Sequence, residues 1–150
     1  MAKEIGIQTL VKRIEGMKKF SVRAGVMGGA MYIDTHASVA EVAQKLEYGD
    51  SSIPPRPFLR NTVAAHQQEW YDGLDKMSKA YLRGRITLDG VADKLGVAMQ
   101  THILATIDAG VPPPNSPATT AAKKARGQAD PKPLIDSGTL RDSISYDYET

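Results

Sequence analysis

Pro133-Leu-Ile-Asp-Ser-Gly-Thr-Leu-Arg-Asp-Ser-Ile144, near the C-terminus, admits two readings that imply different folds. In one, the apolar pair before Asp136-Ser137-Gly138 delivers a catalytic carboxylate from a strand into a cleft. In the other, Asp136, Ser137 and Gly138 form a turn in which a side-chain oxygen caps the amides of a short helix, and a last strand follows. Carboxylate catalysis of the first kind needs two aspartates sharing one proton at about 3 Å, so a chain with a single such motif has to dimerise. It also needs a flap before the motif and enough strand after it to build a cleft. Only twelve residues follow Gly138, and Thr139 to Ser143 reads as a helical turn. The turn is the reading carried forward, with Asp136 expected to face backbone amides.

The chain has 150 residues, enough for one domain with a real core. Nineteen basic and 17 acidic side chains leave a formal charge of +2, far from the excess of a dedicated polyanion binder. Cysteine is absent, which removes disulfides, thiol nucleophiles and thiolate metal sites. No apolar run has the length of a signal peptide core or a bilayer span, so a soluble protein without a membrane partner is expected.

Working outward from the C-terminal block, Ser143 to Tyr148 alternates Ile144, Tyr146 and Tyr148 with polar residues, the period of a strand. Its expected partner is Phe20 to Val26, where Phe20, Val22, Ala24 and Val26 alternate, followed by a turn at Met27-Gly-Gly-Ala30 and a return strand from Met31 to Asp34. Helical spacing predicts helices over Glu4 to Lys19 and over Val39 to Tyr48, the second capped by Ser38 or Thr35 and stopped by Gly49. Pro54, Pro55 and Pro57 force Ser51 to Pro57 to be extended, and Pro57 then opens a long helix carrying Leu59, Val63, His66, Trp70, Leu74, Met77 and Tyr81, with a bend allowed at Gly73. A fourth helix from Leu88 presents Val91, Leu95, Ala98, Met99, His102, Ile103 and Ile107 and ends at Gly110; it should be the core helix. Residues 111–132, rich in Pro and Ala, read as a long loop or arm with at most a helical turn around Pro117 to Arg126. The fold class expected is α+β, one domain, with a small antiparallel sheet (N-terminal hairpin plus C-terminal strand) packed on about four helices.

Other candidate chemistry is thin. His36, His66 and His102 stand far apart in sequence, and no metal ligand set or cofactor site is predicted; His66 and His102 lie on apolar stripes and read as packed histidines. Glu47 and Glu69 read as surface carboxylates. Gly25-Val-Met-Gly-Gly29 lacks the Lys-Ser/Thr ending of a phosphate loop and reads as a turn. The basic groups, Lys123, Lys124 and Arg126 on one side and Arg56, Arg60, Arg83 and Arg85 on the other, lack interleaved aromatics and read as solvated or subunit-bridging charge.

Three blocks in order go further. Glu47-Tyr-Gly-Asp-Ser-Ser-Ile-Pro-Pro-Arg-Pro-Phe-Leu-Arg60, then Gly110 to Lys123 with its Pro-Pro-Asn-Ser-Pro core, then Pro133 to Ile144 together resemble the signature of bacteriophage tail-completion and virion-morphogenesis proteins. The likeness runs from Val39 to the C-terminus; the N-terminal third carries no motif of that family. It implies a structural, non-enzymatic subunit of the virion neck, assembled in the host cytoplasm. Such subunits form a ring, expected to be hexameric, between a connector or head-closure protein and a tail-tube or tail-terminator protein, with DNA only passing through the channel. Under that reading Arg56, Pro57, Phe58, Leu59 and Arg60, with Lys123, Lys124 and Arg126, are interface candidates. The alternative for the first group is a connector inside one subunit with Phe58 in its core. Two other classes of function stay in view: an aspartic-protease-like enzyme using Asp136, and a small nucleic-acid-binding module.

Overall fold

The two ends of the chain are tied together by strand β1 (Ser21–Val26) pairing antiparallel with strand β2 (Ile144–Glu149), in a register that runs from Ser21 opposite Glu149 to Val26 opposite Ile144. This is the pairing expected from the two alternating segments. The structure is a computed structural model and describes residues 5–150. Among the described residues, six helices lie around the two strands: α1 (Ile7–Met17), α2 (Val39–Tyr48), α3 (Phe58–Leu82), α4 (Leu88–Ala109), α5 (Pro117–Ala125) and α6 (Thr139–Asp142). The mixed α+β class and single domain hold, with helices α5 and α6 added to the four expected.

Helix α4 is the hub, with α3 against it on one side and both strands on the other. Its buried residues Val91, Ala92, Leu95, Gly96, Ile103 and Ile107 recur at helical spacing and face inward, as a core helix requires. Ile103 and Ile107 join Val39 and Ala43 of α2, Phe58 of α3, Val111, Leu140 and Ile144 in one cluster. Two side-chain hydroxyls stitch the helices across this core: Thr62 Oγ1 donates to the Phe58 carbonyl at 2.7 Å and lies 2.7 Å from Thr106 Oγ1. Thr106 Oγ1 in turn reaches the His102 carbonyl at 3.0 Å. Polar atoms at so buried a crossing are tolerated because each has a partner.

The sheet approaches α4 through a glycine. A Cβ at Gly96 would overlap the ring of Tyr146, so the inward face of β2 seats an aromatic directly on the helix backbone. The Tyr146 hydroxyl continues to the Asp93 carboxylate one turn earlier on α4. Gly73 on α3 causes no break, and that helix runs unbroken through Leu82. It ends at Leu82, just before the left-handed Gly84 (φ 72°), and Arg13 of α1 donates to the Leu82 carbonyl at 2.9 Å and so satisfies one of the end carbonyls.

Two expectations are corrected. The N-terminal hairpin does not form: Met31 makes only an isolated bridge to Ser38, and Tyr32 N and His36 N bond within a tight loop to Ala37 O and Tyr32 O. The alternation that suggested a strand fails to deliver apolar residues to the core, since Met31 and Ile33 face outward while Tyr32 packs inward; the loop spends its backbone groups on starting α2 instead. The first helix begins at Ile7 after Gly6, and Glu4, its expected start, lies outside the described residues.

Replacing a mid-helix glycine by alanine ordinarily stabilises a helix by about 1 kcal/mol. At Gly96 the sign should reverse. Gly96→Ala is expected to lower unfolding free energy by about 2 kcal/mol through overpacking against Tyr146, measured by urea denaturation. Gly73→Ala, where a Cβ meets nothing within 4 Å, serves as the control expected to stabilise.

Candidate functional site

The first of the three blocks is built around a buried carboxylate. Glu47, in the last turn of α2, is only 4% exposed, and its Oε2 accepts the Leu59 amide at 2.9 Å while its Oε1 accepts the Arg60 amide at 3.0 Å and Arg60 Nε at 2.9 Å. A carboxylate on the first-turn amides of a 25-residue helix satisfies donors that have no intrahelical partner and sits at the positive end of the helix dipole. Arg60 also donates to the Glu47 carbonyl at 2.7 Å and lies over the Tyr48 ring, 4.8 Å from its centroid.

Between these partners the chain makes a compulsory turn. Gly49 has φ 75°, and a Cβ there would meet Ile53 O and Pro55 at 2.9 Å. Asp50 accepts the amides of Ser52 and Ile53, both at 2.8 Å, and these donors hold its carboxyl below the usual carboxylate range. The Arg56 amide then reaches back to Leu46 O at 2.6 Å. Phe58 is fully buried.

The second block folds back onto the first. Arg56 donates through Nε to Pro113 O at 2.8 Å and through Nη2 to Pro114 O at 3.2 Å. Asn115 Nδ2 bridges to Pro131 O at 3.1 Å, and Lys132 Nζ to Asp108 O at 3.1 Å. Within the arm, Ser116 Oγ accepts the Thr119 amide at 3.1 Å and Pro117 occupies the first helical turn, so a full helix α5 forms where only a turn was expected. Lys123, on its inner face, gives two of its ammonium hydrogens to Lys132 O (2.9 Å) and Ile135 O (2.5 Å). The arm is thus fastened to its own chain.

The third block departs from its expected detail. Gly138 takes the left-handed conformation (φ 86°) at the start of α6, and no side chain caps that helix. Ser137 Oγ lies 2.7 Å from Thr139 Oγ1 and 3.4 Å from the Thr139 amide. Asp136 does not cap: its carboxylate pairs with Arg126 at 2.9 Å, because the left-handed turn at Gly138 carries the chain away and leaves Asp136 beside the end of α5. Leu140 enters the core, and Arg141 grips Asp108 of α4 with two bonds, Nε to Oδ1 at 2.7 Å and Nη2 to Oδ2 at 2.9 Å. That hydrogen-bonded guanidinium holds the Asp108 carboxyl below its ordinary range.

The three blocks converge on one cavity of about 390 Å³, walled by Ile53 and Arg56 from the first, Asn115, Thr119 and Lys123 from the second, and Asp136 to Leu140 from the third, with Leu46 of α2 beside them. Of the interface candidates, Arg56, Phe58 and Lys123 are buried within the chain, Pro57 and Leu59 are half-buried, and Arg60, Lys124 and Arg126 lie at the surface. The connector reading, with Phe58 in the core, is therefore the arrangement of this first segment. Phe58 has no surface left to offer a neighbour.

A second cluster was missed in the sequence. His66 and Glu69, three apart on α3, meet His102 of α4: Glu69 Oε2 is 3.1 Å from His66 Nδ1 and 3.8 Å from His102 Nε2, and the two imidazoles stack with centroids 3.8 Å apart and planes 12° from parallel. Trp70 Nε1 donates to His102 Nδ1 at 2.9 Å. Since indole only donates, Nδ1 must accept, and the proton of a neutral His102 ring sits on Nε2, facing Glu69. The three ligand-type side chains lie within 4.8 Å of one another, yet a metal on His102 Nε2 would require Trp70 to release its bond. The arrangement serves as a hydrogen-bonded clasp between α3 and α4. The spacing of His66 and Glu69 was the available signal; the contribution of His102 was not visible without the helix pairing.

Compared with protein-family models, curated proteins and solved structures, the chain matches none.

Removing the Glu47 carboxylate strands two part-buried amides and the Arg60 guanidinium. Glu47→Ala is expected to cost about 3 kcal/mol, and Arg60→Ala, which leaves the amides capped, about 1 kcal/mol, by chemical denaturation. The Asp108–Arg141 pair has a pH signature. A carboxyl held low in the folded chain contributes stability above its ordinary titration range, and that contribution disappears as pH falls through the depressed value. The stability advantage of the wild type over Asp108→Asn should therefore be constant near neutrality and shrink below about pH 4, measured by denaturation midpoints across pH.

Proposed function

We propose that the chain is a structural subunit of a tailed-phage or prophage virion, acting by assembly into a ring at the head-to-tail junction rather than by covalent chemistry. The resemblance of the three ordered blocks motivates the reading, and their convergence into one interlocked unit gives each block a role in a single subunit fold. The observation that carries the assembly part is helix α1. No residue of α1 is buried, and its stripe of Ile7, Leu10, Val11 and Ile14 is exposed in the lone chain, Ile7 to 81%. α1 touches the rest of the molecule chiefly along α3, through Arg13 at Leu82 and Gly16 near Tyr81. An amphipathic helix with its apolar stripe facing water is what a subunit shows when a neighbour supplies the other side.

In this reading Arg60, Lys124 and Arg126, which remain at the surface, are the members of the candidate set available to bridge subunits. The adjoining partners are a connector or head-closure protein on one side and a tail-tube or tail-terminator protein on the other, and DNA passes through the channel without being read. The place of the protein is the virion neck.

Sedimentation velocity and negative-stain imaging across a concentration series test the proposal. Closed rings, of about six subunits under the resemblance, are expected for the wild type. Ile7→Glu should abolish them while shifting monomer stability by no more than about 0.5 kcal/mol, because Ile7 is 81% exposed in the lone chain, and Ile7→Glu/Val11→Glu serves as the double variant. A wild type that stays monomeric at every concentration, or a double variant that still forms the same rings, sinks the assembly reading.

A further inference from the structure

The cavity at the meeting of the three blocks contains an imbalance of charge. Arg56 is 8% exposed and Lys123 is 6% exposed, both line it, and among the described residues neither has a carboxylate within ion-pair distance. Arg56 spends Nε and Nη2 on proline carbonyls and leaves Nη1 without a hydrogen-bond partner among the described residues; Lys123 spends two of three ammonium hydrogens on carbonyls. Backbone carbonyls solvate a cation but do not neutralise it, and a buried charge without a counter-charge is costly. Among the described residues, the one carboxylate in the cavity wall, Asp136, is exposed and paired with Arg126.

The titration of Lys123 agrees with this picture. Burial pushes its ammonium below the ordinary lysine value; Asp136 pulls the other way, and Arg126 and Arg56 add to the depression. Two buried cations at one wall are a recognition element for an oxyanion.

The remaining lining decides which oxyanion. Val42, Leu46, Ile53, Leu134 and Leu140 make much of the wall apolar. At about 390 Å³ the cavity is far larger than inorganic phosphate requires and falls within the size range of pockets that hold small organic ligands. We infer that the cavity binds a carboxylate carried on a small apolar body, with the carboxylate between Arg56 and Lys123 and the body against Leu46, Ile53 and Leu140. The Thr119 hydroxyl and Asn115 amide on the same wall supply further polar contacts. The inference stands on the cavity alone and does not depend on the assembly reading.

The same chemistry is offered by a free organic acid and by a glutamate side chain on another polypeptide, and the test separates them. Hexanoate and its neutral twin hexanamide are titrated into the wild-type chain and followed by amide chemical shifts. Saturable shifts at Arg56, Lys123 and Leu140 with hexanoate, and an affinity at least about tenfold weaker for hexanamide, are expected. A capped leucine-glutamate-leucine peptide and its glutamine twin form the second arm. Tighter binding of the glutamate peptide than of hexanoate assigns the site to a protein-borne carboxylate, and the reverse order assigns it to a free acid. Lys123→Met should weaken hexanoate about tenfold; because Lys123 also holds Lys132 and Ile135, the wild-type comparison is the deciding one and needs no variant. Equal binding of hexanoate and hexanamide overturns the inference. So does absence of binding by all the carboxylate probes at concentrations on the order of 10 mM, or site-specific binding of inorganic phosphate in preference to hexanoate.

Discussion

A buried carboxylate organises this fold. Glu47 lies in the last turn of α2, and its side chain receives the first amides of α3, so one residue links the end of one helix to the start of the next. The accounting at the start of α3 is complete: Phe58 N bonds to Arg56 O, Leu59 N and Arg60 N to Glu47, and Asn61 N to Pro57 O, while Pro57 has no amide hydrogen to satisfy. Because the carboxylate is out of water, its partners have to be fixed, and Arg60 supplies the counter-charge from the rim. The sharp turn at Gly49 and Asp50 and the stiff prolines follow from the need to bring Phe58 back over α2 within eleven residues of Glu47. Once the start of α3 is fixed, Thr62 meets Thr106 and α4 is placed.

From α4 the order passes to the sheet and to the C-terminal block. Gly96 lets Tyr146 sit on the helix, so that β2, and through it β1, takes its position from a missing side chain. Asp108 and the Asp108 carbonyl receive Arg141 and Lys132, which hold the third block and the end of the arm against the same helix. The cavity lies where these constraints meet. Its two buried cations are therefore on backbone that is held from several directions, a condition for recognising a ligand without large ordering cost.

The residues first considered for a subunit seam differ in exposure when seen in the fold. Arg56, Phe58 and Lys123 are buried and join segments of one chain; Arg60 and Arg126 pair with Glu47 and Asp136 but, like Lys124, remain at the surface. An exposed apolar stripe lies instead on α1, in the third of the chain that carries none of the three blocks. The motif-bearing part and the uncovered part of this protein are thus different parts, one securing the fold and the other exposing a surface.

Sequence alone determined the elements whose signals are local. Val39 to Tyr48, bounded by Ser38 and Gly49, is the helix observed, and the start of α4 at Leu88 and the pairing of the two alternating strands were also legible. Proline geometry, glycine stops and periodic apolar positions act within a few residues, so a linear string contains them. Tertiary structure decided what depends on distant partners. Met31 to Asp34 alternates like a strand, but no edge receives it; Asp136 resembles a cap, but Gly138 turns it toward Arg126. Glu47 reads as a surface carboxylate until the helix it caps is folded back onto it, and His66 and His102 are unrelated until α3 and α4 pack. Burial of charge and the meeting of side chains far apart in sequence are properties of the packed chain, because the desolvation and the counter-charges that set them exist only when the segments come together.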